Sequence, residues 1–213
     1  MLHFKAFNKY YSNFPALKIP DLTLHPGIYW VKGVNGSGKS TLLKSIAGIL
    51  AFDGDIILNG NISIKKQAAT YRKLVNFAEA EPLFPEFLTG TEMLELFASA
   101  KNAPKKQEDY FIESMKMQSY IDRPVGTYSS GMLKKLSLLL AFMGNPTLIL
   151  LDEPLITIDT EALLVLYQWI NKLHAEEGVS FMLSSHQILD ADIIGNTTLL
   201  QVENQTLKLA GNN

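Results

Sequence analysis

The sequence predicts an α/β domain in which a mainly parallel sheet carries the chemistry. Three observations lead there. A short apolar strand at residues 27–32 runs into a glycine-rich loop and then an amphipathic helix. Two continuous apolar runs, residues 147–152 and 179–185, read as strands buried on both faces, as parallel strands are. Between them lies a long helical segment that opens at Asp159-Thr160-Glu161 and runs to Gly178.

The loop is Gly33-Val34-Asn35-Gly36-Ser37-Gly38-Lys39-Ser40, followed by Thr41. It fits the spacing G-x-x-x-x-G-K-[ST] of a phosphate-binding loop. A backbone that wraps phosphate oxygens needs dihedrals that a Cβ disfavours and must come close enough for its amides to donate, so Gly33, Gly36 and Gly38 suit it. Lys39 is placed to reach the β- and γ-phosphates and Ser40 to ligate Mg²⁺, while the helix that opens at Lys39 and closes at Gly48 turns its positive end to the anion.

The chain of 213 residues is 47% hydrophobic, enough for one compact domain with a full core. A net charge of −2 and a pI near 6.1 leave no electrostatic footprint for nucleic acid, and no nucleic-acid partner is expected. Cysteine is absent, which excludes disulfides and thiolate metal sites or nucleophiles. No run reaches the roughly eighteen apolar residues of a membrane span, and no signal peptide is expected, so membrane work would need another chain to do the crossing. No internal repeat is visible, and residues 210–213 are expected to fray.

Residues 1–30 read as a small antiparallel sheet with Phe4, Phe7, Leu22, Leu24 and Ile28 turned inward and turns at residues 13–15 and 25–27. Within it, Tyr10 and Tyr11 stand on an exposed turn, as strand-edge packing residues or as a flat ring for a nucleotide base. Residues 53–61 read as a hairpin extending the same sheet. A short buried strand follows at residues 74–78, ended by Glu79-Ala80-Glu81-Pro82. A helical block comes next: a helix starting at Thr91-Glu92, a lysine-rich link over residues 101–107, and a helix over residues 108–120 with Phe111, Ile112, Met115 and Met117 as core. Ser129-Ser130-Gly131 precedes a helix over residues 132–143 that stops at Gly144-Asn145-Pro146. The serines there serve either as caps or as part of an anion site.

The strand at 147–152 ends in Asp152-Glu153-Pro154, and carboxylates at such a tip sit where open α/β sheets bind ligands. Asp152 is placed to hold Mg²⁺ and Glu153 to polarise an attacking water. His186 stands just past the end of the next strand, where it is placed to contact a γ-phosphate. A hairpin over residues 197–202 and 205–209 closes the chain.

Taken together, the loop from Gly33 to Thr41, Tyr128-Ser129-Ser130-Gly131-Met132, the run ending in Asp152-Glu153-Pro154, Asp159 and His186 resemble, in order and spacing, the ATP-binding subunit of an ABC transporter. The resemblance covers nearly the whole chain. It implies a P-loop NTPase fold in a single ABC ATPase domain over residues 1–213. Residues 1–30 and 52–64 would form the antiparallel β subdomain, residues 31–51, 65–82 and 146–213 the nucleotide-binding core, and residues 83–145 the helical signature subdomain. It implies ATP and Mg²⁺ as cofactors, with Tyr11 or else Tyr10 stacking on adenine and Gly33, Asn35, Gly36, Ser37, Gly38, Lys39, Ser40 and Thr41 forming Walker A. Asp152 would be the Walker B ligand of Mg²⁺, Glu153 the general base, Asp159 the D-loop aspartate and His186 the switch histidine. Ser129, Ser130 and Gly131 would form the signature segment, closing over ATP bound to the opposite subunit of a homodimer or heterodimer. A membrane-spanning permease would be the partner and the inner face of the cell membrane, on the cytoplasmic side, the location.

Three departures from the family pattern stand out. The signature reads Tyr-Ser-Ser-Gly-Met where Leu-Ser-Gly-Gly-Gln is commonest; the D-loop, Leu155-Ile156-Thr157-Ile158-Asp159, keeps little beyond its aspartate; and the Q-loop position offers only the acids Glu79 and Glu81, as candidates for reaching Mg²⁺ or its water. Their added charge implies slow turnover of the isolated chain. A soluble ABC-type ATPase of an assembly or regulatory complex is the alternative. A GTPase is disfavoured because Asn171-Lys172-Leu173-His174 lies within a helix and lacks the final aspartate of a guanine motif, and a small-molecule kinase because Arg72 and Arg123 are the only arginines.

Overall fold

The computed structural model describes residues 1–186, 194–195 and 197–210. Among them, two sheets form. The four-stranded antiparallel sheet has the order β2-β1-β4-β5, from β1 (Leu2–Tyr11), β2 (Phe14–Leu24), β4 (Asp53–Leu58) and β5 (Ile62–Ser63). A six-stranded sheet has the order β10-β9-β3-β8-β7-β6, from β3 (Ile28–Lys32), β6 (Val75–Ala78), β7 (Leu148–Asp152), β8 (Ser180–Ser184), β9 (Thr197–Glu203) and β10 (Thr206–Leu209). All its pairings are parallel except that of β10 with β9. The mainly parallel core and the antiparallel addition are thus as the sequence predicts. β3 lies wholly in the parallel sheet, although its first residues read as the end of the antiparallel stretch.

Burial on both faces explains the unbroken apolar runs. All five residues of β7 are buried. Because side chains alternate, Leu148 and Leu150 pack with Phe4, Leu42 and Ile46 on one side. Ile149 and Leu151 pack with Leu140, Trp169 and Phe181 on the other. Each such leucine or isoleucine contributes on the order of 2 kcal/mol. The register places Asp152 opposite Ser184 and Ser184 opposite Val31, so the C-terminal tips of β7, β8 and β3 lie side by side. That row positions the site.

Six α-helices surround the sheets in the described residues: α1 (Lys39–Ile46), α2 (Ala68–Leu74), α3 (Gly90–Lys101), α4 (Gln107–Ser114), α5 (Ser130–Phe142) and α6 (Thr160–Glu177). Helix α2 is not foreshadowed by periodicity, because only Tyr71 of its seven residues is buried, its hydroxyl donating to Ile46 O at 2.9 Å. It takes Leu74 out of the neighbouring strand. The helix expected at Thr91 starts one residue earlier, at Gly90, where Thr89 and Glu92 form a reciprocal capping box, while Thr91 donates to Asp122. Helix α4 stops at Ser114 instead of reaching residue 120, since Lys116 adopts φ 56° and turns the chain; Met115 and Met117 are buried all the same. Lys101 does not belong to a solvated link: its ammonium donates to Arg72 O and Val75 O, and burial lowers its pKa to about 8. Leu22 is half-buried rather than core. At the far end Ala210 N bonds Leu199 O at 3.0 Å, and the rest of the tail, residues 211–213, lies outside the described residues.

Candidate active site

The loop between β3 and α1 adopts the shape its glycines allow. Gly38 has φ 107°, and Ser37 N donates to Val34 O at 3.1 Å to close a turn. Gly33 is required for space, because a Cβ there would lie 2.4 Å from Ser37 Oγ and 2.5 Å from Val202 O. Lys39, only 6% exposed, folds back over the loop and donates to Gly33 O at 2.9 Å and Val34 O at 3.3 Å. Burial lowers its pKa, and the charges of Glu153 and Asp152 partly restore it.

The strand tips bring distant residues to this lysine. His186 Nε2 lies 3.2 Å from Lys39 Nζ and 3.3 Å from Glu153 Oε1, and its backbone N–H donates to Glu153 Oε2 at 3.3 Å. One ring nitrogen thus faces a cation and an anion. A neutral ring protonated at Nδ1 accepts from Lys39, whereas a protonated ring pairs with Glu153. Glu153 holds φ 45°, an uncommon conformation for a side chain of its size, and its carboxylate is 12% exposed. Asp152 is 2% exposed, and its Oδ1 accepts from Ser184 Oγ at 2.6 Å. The same Oγ accepts from Glu153 N at 3.0 Å. Ser184 therefore orients both acidic residues, a role that an apolar run ending in two serines does not disclose.

Lys39, Ser40, Thr41, Asn35, Gly36, Gly38, Glu153, Ile156 and His186 line one cavity of about 530 Å³. A second cavity, of about 460 Å³, shares Gly36, Gly38 and Thr41 with the first and is walled by Tyr11, Ser37 and the β9–β10 turn. Tyr11 is tied to this loop by its hydroxyl, 3.2 Å from Thr41 Oγ1, whereas Tyr10 lines neither cavity. The pair of cavities suits a ligand with a multiply charged tail and a flat head. The wall at Glu203, Asn204 and Gln205 was not visible in the sequence, because only folding brings that turn beside the loop.

Other expected site residues lie elsewhere in the chain. Ser129 caps α5, accepting from Met132 N at 3.3 Å. Gly131 packs so closely on the 155–159 segment that a Cβ would lie 2.9 Å from Thr157 O. Asp159 caps α6 through Ala162 N at 2.8 Å and pairs with Lys135 at 2.8 Å, and these contacts hold its pKa below the usual carboxylate value. None of Ser129, Ser130, Gly131 and Asp159 lines the loop cavities. Glu79 and Glu81 are not brought to them either. The Glu79 carboxylate faces Lys44 at 3.6 Å, and Glu81 is exposed. A charge partner on α1 draws Glu79 away, so the expected place of these two acids beside Mg²⁺ has no support in the geometry.

Comparison with known proteins gives the family. The profile of the ABC transporter family matches residues 17–156. ATP-binding cassette sub-family A member 7 of Rattus norvegicus is 34% identical over 187 residues, 84% of this chain and 8% of its own length. Retinal-specific phospholipid-transporting ATPase ABCA4 of Bos taurus is 30% identical over 211 residues, 95% of this chain and 9% of its own. The chain therefore spans less than a tenth of these two relatives. Among solved structures, the ATP-binding subunit of an ABC transporter superposes with a TM-score of 0.87 at 26% identity, covering 99% of this chain and 89% of that one. The dimeric bacterial cassette MJ0796 gives 0.80 at 21% identity over 98% and 97%, a likeness of fold. With the family profile covering more than half of its residues and relatives above 30% identity aligned along most of its length, this chain belongs to the ABC transporter family, as an ATP-binding cassette of the ATPase type.

Proposed function

We propose that the chain binds and hydrolyses ATP at the Lys39–Glu153–His186 cluster and, paired with a second cassette, drives a separate membrane-spanning chain. The observation that carries this reading is the convergence of those three residues, from three segments far apart in sequence, on the lining of the phosphate-loop cavity. Loop amides and Lys39 would hold the phosphates. Glu153 would take a proton from water as its oxygen attacks the γ-phosphorus and the bond to the β-phosphate oxygen breaks, giving ADP and phosphate. His186 would donate to a γ-phosphate oxygen and hold Glu153 in line.

The donor set fits Mg²⁺. The Ser40 hydroxyl and the Asp152 carboxylate are hard oxygen ligands. No cluster of three or more His, Cys, Asp or Glu side chains among the described residues could cage a metal alone, which suits an ion held largely by phosphates and water. When bound, Mg²⁺ would neutralise charge building on the phosphates.

A second copy is proposed because Ser129, Ser130 and Gly131 line neither of the two cavities at the phosphate loop of their own chain. They are nonetheless tied through Thr157 and Lys135–Asp159 to the segment whose Ile156 lines the ATP site. Sandwiching ATP between Walker A of one protomer and this signature segment of the other would complete both sites, with the subdomain division given above. No helix among the described residues is long and apolar enough to cross a membrane. A separate groove of about 320 Å³, lined by Ile49, Phe77, Pro82, Leu83, Phe84 and Phe97, offers a seat for a short helix of the membrane chain, and Leu83 beside it is 91% exposed. That groove favours transport over a free-standing assembly ATPase, and it would hold the chain at the cytoplasmic face. Names of relatives include phospholipid-transporting ATPases, so phospholipid is the first cargo to test.

The test is Glu153→Gln in the purified protein. ATP should trap a dimer on size-exclusion chromatography with hydrolysis lost; a monomer that hydrolyses ATP at the wild-type rate would overturn the assignment.

A further inference from the structure

Lys134 is fully buried on α5, one turn after Ser130. Its ammonium has three protons, and three backbone carbonyls receive them: Glu79 O at 3.0 Å, Ala80 O at 3.2 Å and Asp152 O at 3.1 Å. These acceptors come from two different places, the segment that leaves β6 and the tip of β7. The lysine itself belongs to a third, the helix that begins with the signature segment. Burying an ammonium is costly unless every proton is satisfied, and here all are, by neutral oxygens rather than a carboxylate. Desolvation accordingly lowers its pKa to about 8, against the opposing charges of Asp152 and Glu153. An apolar side chain would fill the same space without that cost but would take away the one donor that the three carbonyls share.

We infer that Lys134 is a positioning residue of the ATPase site, clamping the Asp152 backbone, the Glu79–Ala80 segment and the signature helix into one unit so that Asp152 presents its carboxylate to Mg²⁺. The inference rests on the assignment of Asp152 as the Mg²⁺ ligand above. Two consequences follow from the geometry. Loss of the clamp releases the backbone that carries the carboxylate, and metal-dependent binding weakens while the phosphate loop, which Lys134 does not touch, keeps its grip. In addition, Glu79 lines the groove proposed for the membrane chain, so Lys134 joins that groove to the tip of β7.

The experiment measures binding of AMP-PNP by isothermal titration calorimetry to the full chain, in EDTA and across a Mg²⁺ series, for wild type, Lys134→Met and Lys134→Gln. In Lys134→Met, affinity in EDTA and binding stoichiometry should stay within about twofold of wild type, while the Mg²⁺ concentration for half-maximal enhancement rises about tenfold or more, the range seen when groups orienting a metal ligand are removed. Lys134→Gln, which keeps two donors, should fall between. A purely structural role would lower stoichiometry without moving the Mg²⁺ midpoint. If Lys134→Met does not fold, Lys134→Gln decides by the same midpoint. A wild-type midpoint in whichever variant binds at full stoichiometry overturns the inference. Wild-type binding that is indifferent to Mg²⁺ would instead overturn the Asp152 assignment, and no wild-type binding at all would overturn the ATPase reading.

Discussion

Ser184 donates its hydroxyl proton to Asp152 at 2.6 Å, across the parallel register that sets the two residues opposite each other in β8 and β7. The same oxygen receives the Glu153 amide at 3.0 Å. Both residues are buried, so Ser184→Ala removes a charge-assisted bond and leaves a carboxylate short of a donor. The expected loss is about 1–3 kcal/mol of stability. It would appear as a lower urea midpoint at unchanged slope, with a fall in kcat because Glu153 loses its anchor.

Gly33 and Gly36 are glycines for different reasons, and alanine should separate them. At Gly33 the new methyl would meet Ser37 Oγ at 2.4 Å and the immovable carbonyl of Val202 at 2.5 Å, so the loop must shift. At Gly36 nothing lies within 4 Å, and only φ 76° opposes a side chain, at about 1–2 kcal/mol. Gly33→Ala should weaken ADP binding by roughly tenfold or more, a loss of about 1.4 kcal/mol at least, and Gly36→Ala by less. Calorimetric titration with ADP checks the order, and an equal loss at both positions would contradict it.

Tyr11 should carry the nucleotide base. Its ring walls the cavity that adjoins the phosphate loop, and its hydroxyl is held by Thr41. Removing the ring in Tyr11→Ala should cost about 1–3 kcal/mol of ADP affinity, the worth of stacking one base on an aromatic side chain. Tyr11→Phe keeps the face and should retain most of the binding, and Tyr10→Ala should leave it unchanged. Loss in Tyr10→Ala with none in Tyr11→Ala would reverse the choice between the two rings.

What could be read from the sequence was whatever is contiguous in it. Lys39 and Ser40 follow their glycines directly, and Asp152 and Glu153 terminate an apolar run long enough to be a buried strand, so local pattern and chemistry coincide. Ser184 and Lys134 acquire their roles only from folding: one ends an ordinary strand, and the other is the first of two adjacent lysines in a largely apolar helix, of which only Lys134 is fully buried. The pairing of Glu79 with Lys44 is hidden for the same reason, because the two are 35 residues apart and no local pattern announces the pair. The choice of Tyr11 over Tyr10 depended on a turn geometry that sequence leaves open. Helix α4 is shorter than the apolar spacing predicts because Met115 and Met117 are core residues in a turn, where burial and periodicity part company.

Asp159 makes stability depend on acid in a predictable direction. Its hydrogen bond and ion pair with Lys135, together with the amide of Ala162, lower its pKa from the ordinary 3.8. A carboxylate with a depressed folded-state pKa contributes stability above its unfolded value and loses that contribution as pH falls through the folded one. The side chain is 55% exposed, so the pair is screened by water and is worth no more than about 1 kcal/mol. Asp159→Asn preserves the α6 cap, since asparagine caps as well as aspartate, and removes the charge alone. Thermal unfolding followed from pH 7 downward should therefore show wild type more stable than Asp159→Asn at neutral pH, with the gap closing once the medium is more acidic than the ordinary carboxylate value. No gap at neutral pH would mean that Asp159 acts only as a cap, and a gap that persists unchanged through that range would mean that the Lys135 pair is not its source.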